Sequence, residues 1–363
     1  MTRPRTLTDR ELTLSLLARQ LLLERRPLST ADAVRRLVAL QAQYSPSPYI
    51  ALHARLDGFA VADLERALRR GTVVKSSLMR GTLHLVHADA YPAYAAAWRF
   101  QALRALAGRE PELTDEHDAI VTALADFMRE PRTTDAIRER TRELTGDRLR
   151  QESDLLDYAR MSLPLVHVPP SGLWRRHGKF SLASWEGAPL PAPAAGTVAL
   201  VRDYLAAFGP ATREDLAAFT FLRFHQLDPA LSALEPLRRL TDARGRELYD
   251  LPRAPLPRED VAPPVRFLPK WDAALISHRD RTRILPAGFL DVVKGGKNGE
   301  VEPTYLIDGL VAGTWRDELR DGTATLTLRP LTDERDADGL EAEALRLLEL
   351  LHPDAERREV VVG

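Results

Sequence analysis

A proline-rich stretch at residues 252–264 divides this chain of 363 residues into two parts with different sequence patterns. Proline fixes φ and donates no backbone hydrogen bond, so such a stretch predicts a connection between two folding units. Before it, amphipathic helical segments alternate with short strand-like runs. After it, strand-like runs are separated by the hairpin signals Asp308-Gly309 and Asp321-Gly322. These patterns predict an α+β protein that is mainly α, with a β-rich C-terminal part.

The N-terminal part repeats one order of elements. Helical segments lead to two strand-like runs at residues 73–79 and 82–87, and Arg80-Gly81 between them fits a tight hairpin turn. Similar groups follow, although no sequence identity recurs at a fixed period. Several helices closed by a two-stranded wing describe a winged-helix unit. We therefore expect three tandem winged-helix motifs, at residues 1–110, 111–188 and 189–258, followed by a C-terminal β-barrel-like domain at residues 259–363.

Composition and missing motifs exclude several kinds of chemistry. The chain contains no cysteine, which rules out disulfides, thiolate nucleophiles and cysteine-bound zinc or iron–sulfur sites. The formal net charge is -1, so any nucleic-acid binding has to come from local basic patches. No nucleotide-binding glycine loop, HExxH or GxSxG motif is present, and no metal or cofactor is expected. Without a signal peptide or an apolar run of membrane-spanning length, the chain is expected to be cytoplasmic.

Gln41 interrupts an amphipathic pattern, and Gln43 follows it two residues later. A capping sequence at Ser29 opens a predicted helix whose apolar stripe includes Leu37, and Gln41 takes the next position on that face. If the chain then extends toward Pro46, Gln41 and Gln43 project to the same side, where two amides could hold a water molecule. Alternatively, both side chains bond free backbone groups at the helix end, and the local pattern alone favours this second interpretation.

Basic clusters supply candidate contacts to a nucleic-acid backbone. The strongest are a second wing near residue 175 and a glycine-rich loop near residue 295, both of which could reach phosphates. The predicted DNA-binding residues are Arg80, His84, Trp174, Arg175, Arg176, Lys179, Arg279, Lys294, Lys297 and Asn298. The glycine-rich loop is equally compatible with a solvated surface hairpin. His84 shares a strand face with Thr82 and Val86, so the pattern places it either at the edge of the core or in the site.

Six short segments spread over nearly the whole chain form a recognisable set. They are residues 37–49, 78–86, 267–272, 277–281, 284–286 and 311–315. Together they resemble the winged-helix superfamily of AlkZ-like DNA glycosylases. The resemblance implies a concave DNA-binding surface, a catalytic Gln-x-Gln motif that corresponds to Gln41 and Gln43, and a DNA-contacting hairpin that corresponds to residues 294–299. A sister group, YcaQ-like, carries Asp at the second motif position, so Gln43 indicates the AlkZ-like branch.

Two neutral amides suit the cleavage of one class of N-glycosidic bond. Cleavage builds positive charge on the sugar and needs a positioned water at C1′, and a purine alkylated at N7 already carries the charge that a leaving group needs. Glutamine cannot titrate, but two amide oxygens could orient the water. We therefore expect a monofunctional hydrolase of N7-alkylpurine adducts in double-stranded DNA, such as bulky alkylguanines or interstrand crosslinks. A role in self-resistance to a genotoxic natural product fits this chemistry.

Two other functions are compatible with parts of the pattern. A non-catalytic winged-helix DNA-binding regulator would explain the repeats and basic wings, although no long dimerisation helix appears. A small-molecule hydrolase using His84 would lack both a nucleophile and a metal-binding set. The family resemblance instead implies a monomer that acts on DNA. We expect it in the cytoplasm, associated with the nucleoid.

Overall fold

The computed structural model describes residues 4–107, 116–149, 151–295, 299–333 and 338–363. Short helices and small sheets alternate along these ranges, which confirms the prediction of a mixed α+β fold. No helix within the described ranges is both long enough and apolar enough to cross a membrane.

The first group of elements carries the Gln41 segment. It consists of β1 (Arg5–Leu7), α1 (Asp9–Arg19), α2 (Thr30–Leu37), β2 (Leu40–Gln41), α3 (Ser47–His53), α4 (Val61–Arg69), β3 (Val73–Ser77), β4 (Leu83–His87) and α5 (Tyr91–Ala107). Helix α2 begins after its predicted cap Ser29 but ends at Leu37, and Val38 follows with φ 69°. The expectation that Gln41 continues the apolar face of this helix is wrong, because Val38 turns the chain out of the helix and Gln41 pairs with β4 as a strand residue.

A three-stranded sheet in the order β2-β4-β3 supports this segment. Strands β3 and β4 are antiparallel, as the hairpin prediction requires, and a 3₁₀ turn at Met79–Gly81 connects them. Arg80 in that turn has φ 60°, a left-handed conformation that residues other than glycine seldom adopt. Because Gln41 lies opposite His84 in the sheet, the Gln41 segment and the hairpin are adjacent.

Two further groups of helices each precede a small sheet. They contain α6 (His117–Phe127), β5 (Arg132–Thr133), α7 (Thr134–Thr145), α8 (Glu152–Ser162), β6 (Leu165–Val168) and β7 (Ser181–Ser184), then α9 (Pro193–Phe208), α10 (Arg213–Thr220), α11 (Phe224–Ala233), β8 (Arg238–Asp242) and β9 (Glu247–Asp250). The second wing expected near residue 175 is a loop, and the strand that pairs with β6 begins only at Ser181. The third sheet has the order β1-β8-β9, so the N-terminal strand β1, which the sequence did not predict, completes it in parallel with β8.

The C-terminal part is a single five-stranded sheet with the order β10-β11-β12-β13-β14. The helices and strands of this part are β10 (Arg266–Leu268), α12 (Ala273–Ile276), α13 (Leu290–Val293), β11 (Thr304–Ile307), β12 (Leu310–Arg320), β13 (Thr323–Pro330), α14 (Leu340–Leu351) and β14 (Arg357–Val362). The barrel prediction is wrong, because in the described residues β10 and β14 form opposite open edges. Helix α14 packs its apolar residues against Phe267, Trp315 and Leu326, so the sheet buries one face without closing.

Buried ion pairs connect the N-terminal helices to the chain that follows. Arg55 of the α3 region donates to both carboxylate oxygens of Asp272, with Nη1 to Oδ2 at 2.9 Å and Nη2 to Oδ1 at 2.7 Å. Arg19 of α1 forms a similar pair with Asp250, with Nη1 to Oδ1 at 2.7 Å. Both pairs are fully or almost fully withdrawn from solvent, so losing one partner would leave an uncompensated buried charge. The Arg55–Asp272 pair fixes the loop next to Trp271 against α3.

Candidate active site

A cleft of about 890 Å³ brings the two glutamines together with residues from distant parts of the chain. It lies between the Gln41 segment, the β3–β4 turn, the end of α10 and residues 271–301. Five of the predicted site residues line it, namely Gln41, Gln43, Arg80, Arg279 and Lys294. The two glutamines therefore face one cavity, as the alternation along an extended segment predicts.

The Gln41 amide has a fixed orientation. Its side chain is 8% exposed, and its Oε1 accepts a hydrogen bond of 3.1 Å from Arg80 Nη2. A guanidinium group can only donate, so the amide must turn its oxygen, not its nitrogen, toward Arg80. The second lone pair of Oε1 and the amide N–H groups are then left for other partners.

The Gln43 amide is oriented by the same rule. Its Oε1 accepts a hydrogen bond of 3.3 Å from the backbone N–H of Leu83, which is also a donor without acceptor capacity. Ala42 between the two glutamines is buried and its N–H donates to the Leu83 carbonyl at 2.7 Å. Strand β4 thus holds the segment so that Ala42 faces the core while both amides face the cleft.

Arg80 joins the first glutamine to helix α10. Its Nη1 donates to the Phe219 carbonyl at 3.1 Å, and the guanidinium lies 5.1 Å from the centre of the Phe219 ring. That carbonyl belongs to the last turn of α10, where unsatisfied oxygens and the helix dipole favour a cation. Burial and the nearby Arg281 lower the pKa of Arg80 to about 10, so it stays charged at neutral pH.

His84 lies behind Arg80 and does not face the cleft. It is buried, its Nδ1 lies 3.0 Å from the Thr82 carbonyl, and its Nε2 lies 3.4 Å from Arg80 Nη2. Burial and the charge of Arg80 lower the pKa of His84 to about 3, so the ring is neutral. A proton on Nδ1 donates to Thr82 and leaves Nε2 as the acceptor for Arg80. The sequence pattern placed His84 either at the edge of the core or in the site, and in the structure it lies at the edge of the core.

The rest of the cleft wall combines cationic and aromatic side chains with aliphatic ones. Arg281 is partly buried, and its Nη1 has no hydrogen-bond partner among the described residues. Trp271 has φ 56°, and its Nε1 donates to the Gly299 carbonyl at 3.0 Å. Phe221 is exposed at the end of α10. None of the three is among the site residues predicted from the sequence. Trp271 and Arg281 lie inside the motif segments that carry the family resemblance, whereas Phe221 carries no such signal.

The cleft contains a carboxylate that is already engaged. Asp280 accepts from Thr282 Oγ1 at 2.7 Å and from Arg244 Nη1 at 2.6 Å, and it forms an ion pair with Arg246 Nη2 at 3.0 Å. Burial alone would raise the pKa of Asp280, but the bonds from Thr282 and the two guanidinium groups lower it to about 2. It is therefore ionised and cannot deliver a proton. Among the described residues, no cluster of His, Asp and Glu is arranged to hold a metal ion.

The other predicted DNA contacts lie outside the cleft. Trp174 packs edge-on against Tyr49 with ring centres 5.1 Å apart, and Lys179 Nζ pairs with Asp135 Oδ2 at 2.8 Å. Arg175 and Arg176 are exposed on the same loop. That loop approaches the glutamine segment, because the ring of His177 stacks on Tyr44 with centres 6.0 Å apart. Lys297 and Asn298 lie outside the described residues, and DNA contact by any of these groups stays a prediction.

Comparison with known proteins agrees with the predicted family. The sequence model of the family "DNA glycosylase AlkZ-like" matches residues 34–350. An interstrand DNA cross-link repair glycosylase of Streptomyces sahachiroi is 27% identical over 355 residues, covering 90% of this chain and 92% of that protein. The solved structure of the DNA glycosylase AlkZ from the same organism shares the fold with a TM-score of 0.80 at 20% identity, covering 99% of this chain and 100% of the other. Because the family match covers most of its length, this chain belongs to the AlkZ-like DNA glycosylases, hydrolases of N-glycosyl bonds.

Proposed function

We propose that this glycosylase removes cationic N7-alkylpurine adducts, including interstrand crosslinks, from double-stranded DNA, with Gln41 and Gln43 as its catalytic residues. The observation that carries the proposal is the pair of amides that line one cationic cleft, each with its oxygen held by a donor-only partner. Each Oε1 keeps a second lone pair. A water that donates to both oxygens would direct its own lone pair at C1′ of the damaged nucleotide.

The protonation states around the glutamines support a leaving group that is already charged. His84 is neutral and buried behind Arg80, and Asp280 is ionised and held by two arginines. Neither group can protonate a departing purine. A purine alkylated at N7 needs no such proton, because breaking its glycosidic bond neutralises its charge.

The cationic wall supports binding of a duplex rather than a small molecule. Arg279, Arg281 and Lys294 line the same cleft as the glutamines, and groups of this kind bind phosphates. The Streptomyces relative is named for interstrand crosslinks, which motivates the extension to bulky adducts. We extend the proposal to self-resistance against a natural product that forms such adducts, on the basis of this substrate chemistry alone.

The architecture that we propose for DNA binding rests on the order of elements. The antiparallel pairs β3–β4, β6–β7 and β8–β9 each follow a group of helices, which is the order of a winged-helix motif. We infer three such motifs, with the predicted limits at residues 110, 188 and 258, that hold DNA as a monomer against the C-terminal sheet.

Excision of defined adducts tests the function. One duplex carries N7-methylguanine and a second carries a nitrogen-mustard crosslink between two guanine N7 atoms; alkaline treatment then breaks the strand at each abasic site. Wild-type protein should release the adducts, and Gln41→Ala and Gln43→Ala should each slow release about 100-fold while still binding DNA. Borohydride should trap no covalent complex, because water is the nucleophile.

The same experiment distinguishes the regulator hypothesis. A wild-type protein that leaves both duplexes intact, yet binds one unmodified sequence tightly, would contradict the proposed substrate and favour a DNA-binding regulator. Release that persists at the wild-type rate in both glutamine variants would remove Gln41 and Gln43 from catalysis. Arg279→Lys provides the control, since it changes an exposed residue of the same cleft and keeps its charge.

A further inference from the structure

Phe221 at the rim of the cleft is unusual in both its backbone conformation and its exposure to solvent. It caps the C-terminal end of α10 with φ 62° and ψ 14°, a left-handed conformation in which glycine or asparagine is usual and a bulky residue is strained. Its side chain is also 61% exposed, although it is a large apolar group. Neither backbone preference nor burial explains a phenylalanine here, and violations of this kind are expected at functional positions.

The position of Phe221 is tied to the proposed catalytic residues through one side chain. Arg80 bonds the Phe219 carbonyl at 3.1 Å with one amino group and Gln41 Oε1 at 3.1 Å with the other. Phe221 follows Phe219 by two residues and lines the same cleft as Gln41 and Gln43. Arg80 therefore fixes the position of the end of α10, which carries Phe221, relative to the Gln41 amide.

We propose that Phe221 is a wedge that enters the base stack of duplex DNA beside the adduct and holds the damaged nucleotide against Gln41 and Gln43. The inference rests on the proposed function, because it requires DNA in this cleft. Apolar side chains inserted between base steps unstack and kink a duplex, and an aromatic ring regains much of that cost by stacking on the exposed base. The cations Arg279, Arg281 and Lys294 on the cleft wall would hold the flanking phosphates while the ring enters.

A second exposed phenylalanine on the same pair of helices provides a matched control. Phe224 opens α11 and is 39% exposed, but the guanidinium of Arg213 lies 4.1 Å from its ring centre. Phe224 is not among the described residues that line the cleft. A general loss of surface hydrophobicity or of helix packing should therefore affect both phenylalanines, whereas loss of a wedge should affect Phe221 alone.

The variant Phe221→Gly separates the wedge from the fold. Glycine adopts positive φ without strain and little packing is lost at an exposed ring, so this variant should melt at or above the wild-type temperature. The binding probe is a duplex with a tetrahydrofuran abasic analogue next to 2-aminopurine, whose fluorescence rises when the base unstacks. Wild type and Phe224→Ala should both raise the fluorescence on binding.

The expected effect of Phe221→Gly is loss of that fluorescence rise and about 10- to 100-fold weaker binding to the abasic duplex, as for loss of one stacked aromatic contact. Its salt dependence of binding should stay that of wild type, since phosphate contacts are unchanged. Phe221→Trp should restore tight binding. Unchanged fluorescence and affinity in Phe221→Gly, with excision still dependent on Gln41, would overturn the wedge and leave the proposed function standing. A wild-type protein that neither binds this duplex nor excises adducts would overturn both.

Discussion

The chemistry that we propose for the cleft depends on which atom each glutamine presents. Arg80 and the Leu83 N–H can only donate, so they select one orientation of each amide and leave an oxygen lone pair for water. The Arg80 backbone is in a left-handed conformation, and its guanidinium group also donates a hydrogen bond to the end of α10. Lysine could supply the charge but not the planar fork of donors that reaches both partners. In the proposed mechanism Arg80 is therefore a positioning residue, whereas the sequence predicted it only as a DNA-binding residue.

Arg80→Lys should lower the single-turnover excision rate on the N7-methylguanine duplex by about 100-fold, the usual cost of a small misplacement of a reacting group. Binding of the intact duplex should weaken only a few fold, because the positive charge remains. The measurement compares both quantities with those of Arg279→Lys, which makes the same chemical change at an exposed residue of the cleft. Equal losses in the two variants would mean that the Arg80 guanidinium acts only as a charge.

Among the secondary-structure elements, the β11–β12 turn is the point where the C-terminal sheet meets helix α1. Arg10 donates to the Asp308 carbonyl at 2.9 Å and to its Oδ1 at 2.8 Å. Gly309 follows with φ 83°, and a Cβ there would lie 2.7 Å from Leu17 Cδ1 and 3.3 Å from Thr13 Cγ2. This turn therefore needs glycine both for its backbone conformation and for the close approach of the helix.

Gly309→Ala should destabilise the protein by about 2 kcal/mol, from backbone strain together with overpacking against α1. Gly322→Ala is the control, because φ there is 76° but the added atom meets only the flexible end of Glu356 at 3.1 Å. Chemical denaturation of both variants measures the difference. If Gly322→Ala cost as much as Gly309→Ala, backbone strain alone would account for the loss and the packing argument would fail.

For the whole molecule, buried histidines link stability to pH. Burial and the charge of Arg80 lower the pKa of His84 to about 3, and burial with Arg346 and Arg25 lowers the pKa of His53 to about 3. In the unfolded chain both groups bind a proton near pH 6.5. The stability from keeping them neutral is therefore present above about pH 6.5 and is lost as the pH falls below that value.

Lowering the pH from 7.5 to 5.5 should reduce the free energy of unfolding by about 1.4 kcal/mol for each of these histidines. Urea denaturation at the two pH values measures the loss. His53→Leu should show a smaller pH dependence than wild type, because one of the proton-linked groups is gone. A wild-type urea midpoint that does not change over this range would contradict the buried neutral state.

The sequence by itself determined the features that arise from local signals or from family motifs. Ser29 caps a helix, the Arg80-Gly81 turn joins two antiparallel strands, and Asp308-Gly309 and Asp321-Gly322 form hairpin turns with positive φ at all four residues. Each of these depends on backbone preferences that a few neighbouring residues express. The motif segments likewise identified the family before any contact was known.

Only the tertiary structure decided how distant segments meet. Pairing with β4 made Gln41 a strand residue, because the hydrogen bonds of a sheet depend on a partner far away in the chain. Helix α14 packs on one face of the open C-terminal sheet, and the end of α10 brings Phe221 to the cleft. The local pattern identified the Gln41 amide as unusual on an apolar stripe, although residue 41 does not continue the helix. Long-range contacts fixed which atoms the Gln41 and Gln43 amides present and which cations surround them, since donors and charges act across space rather than along the sequence.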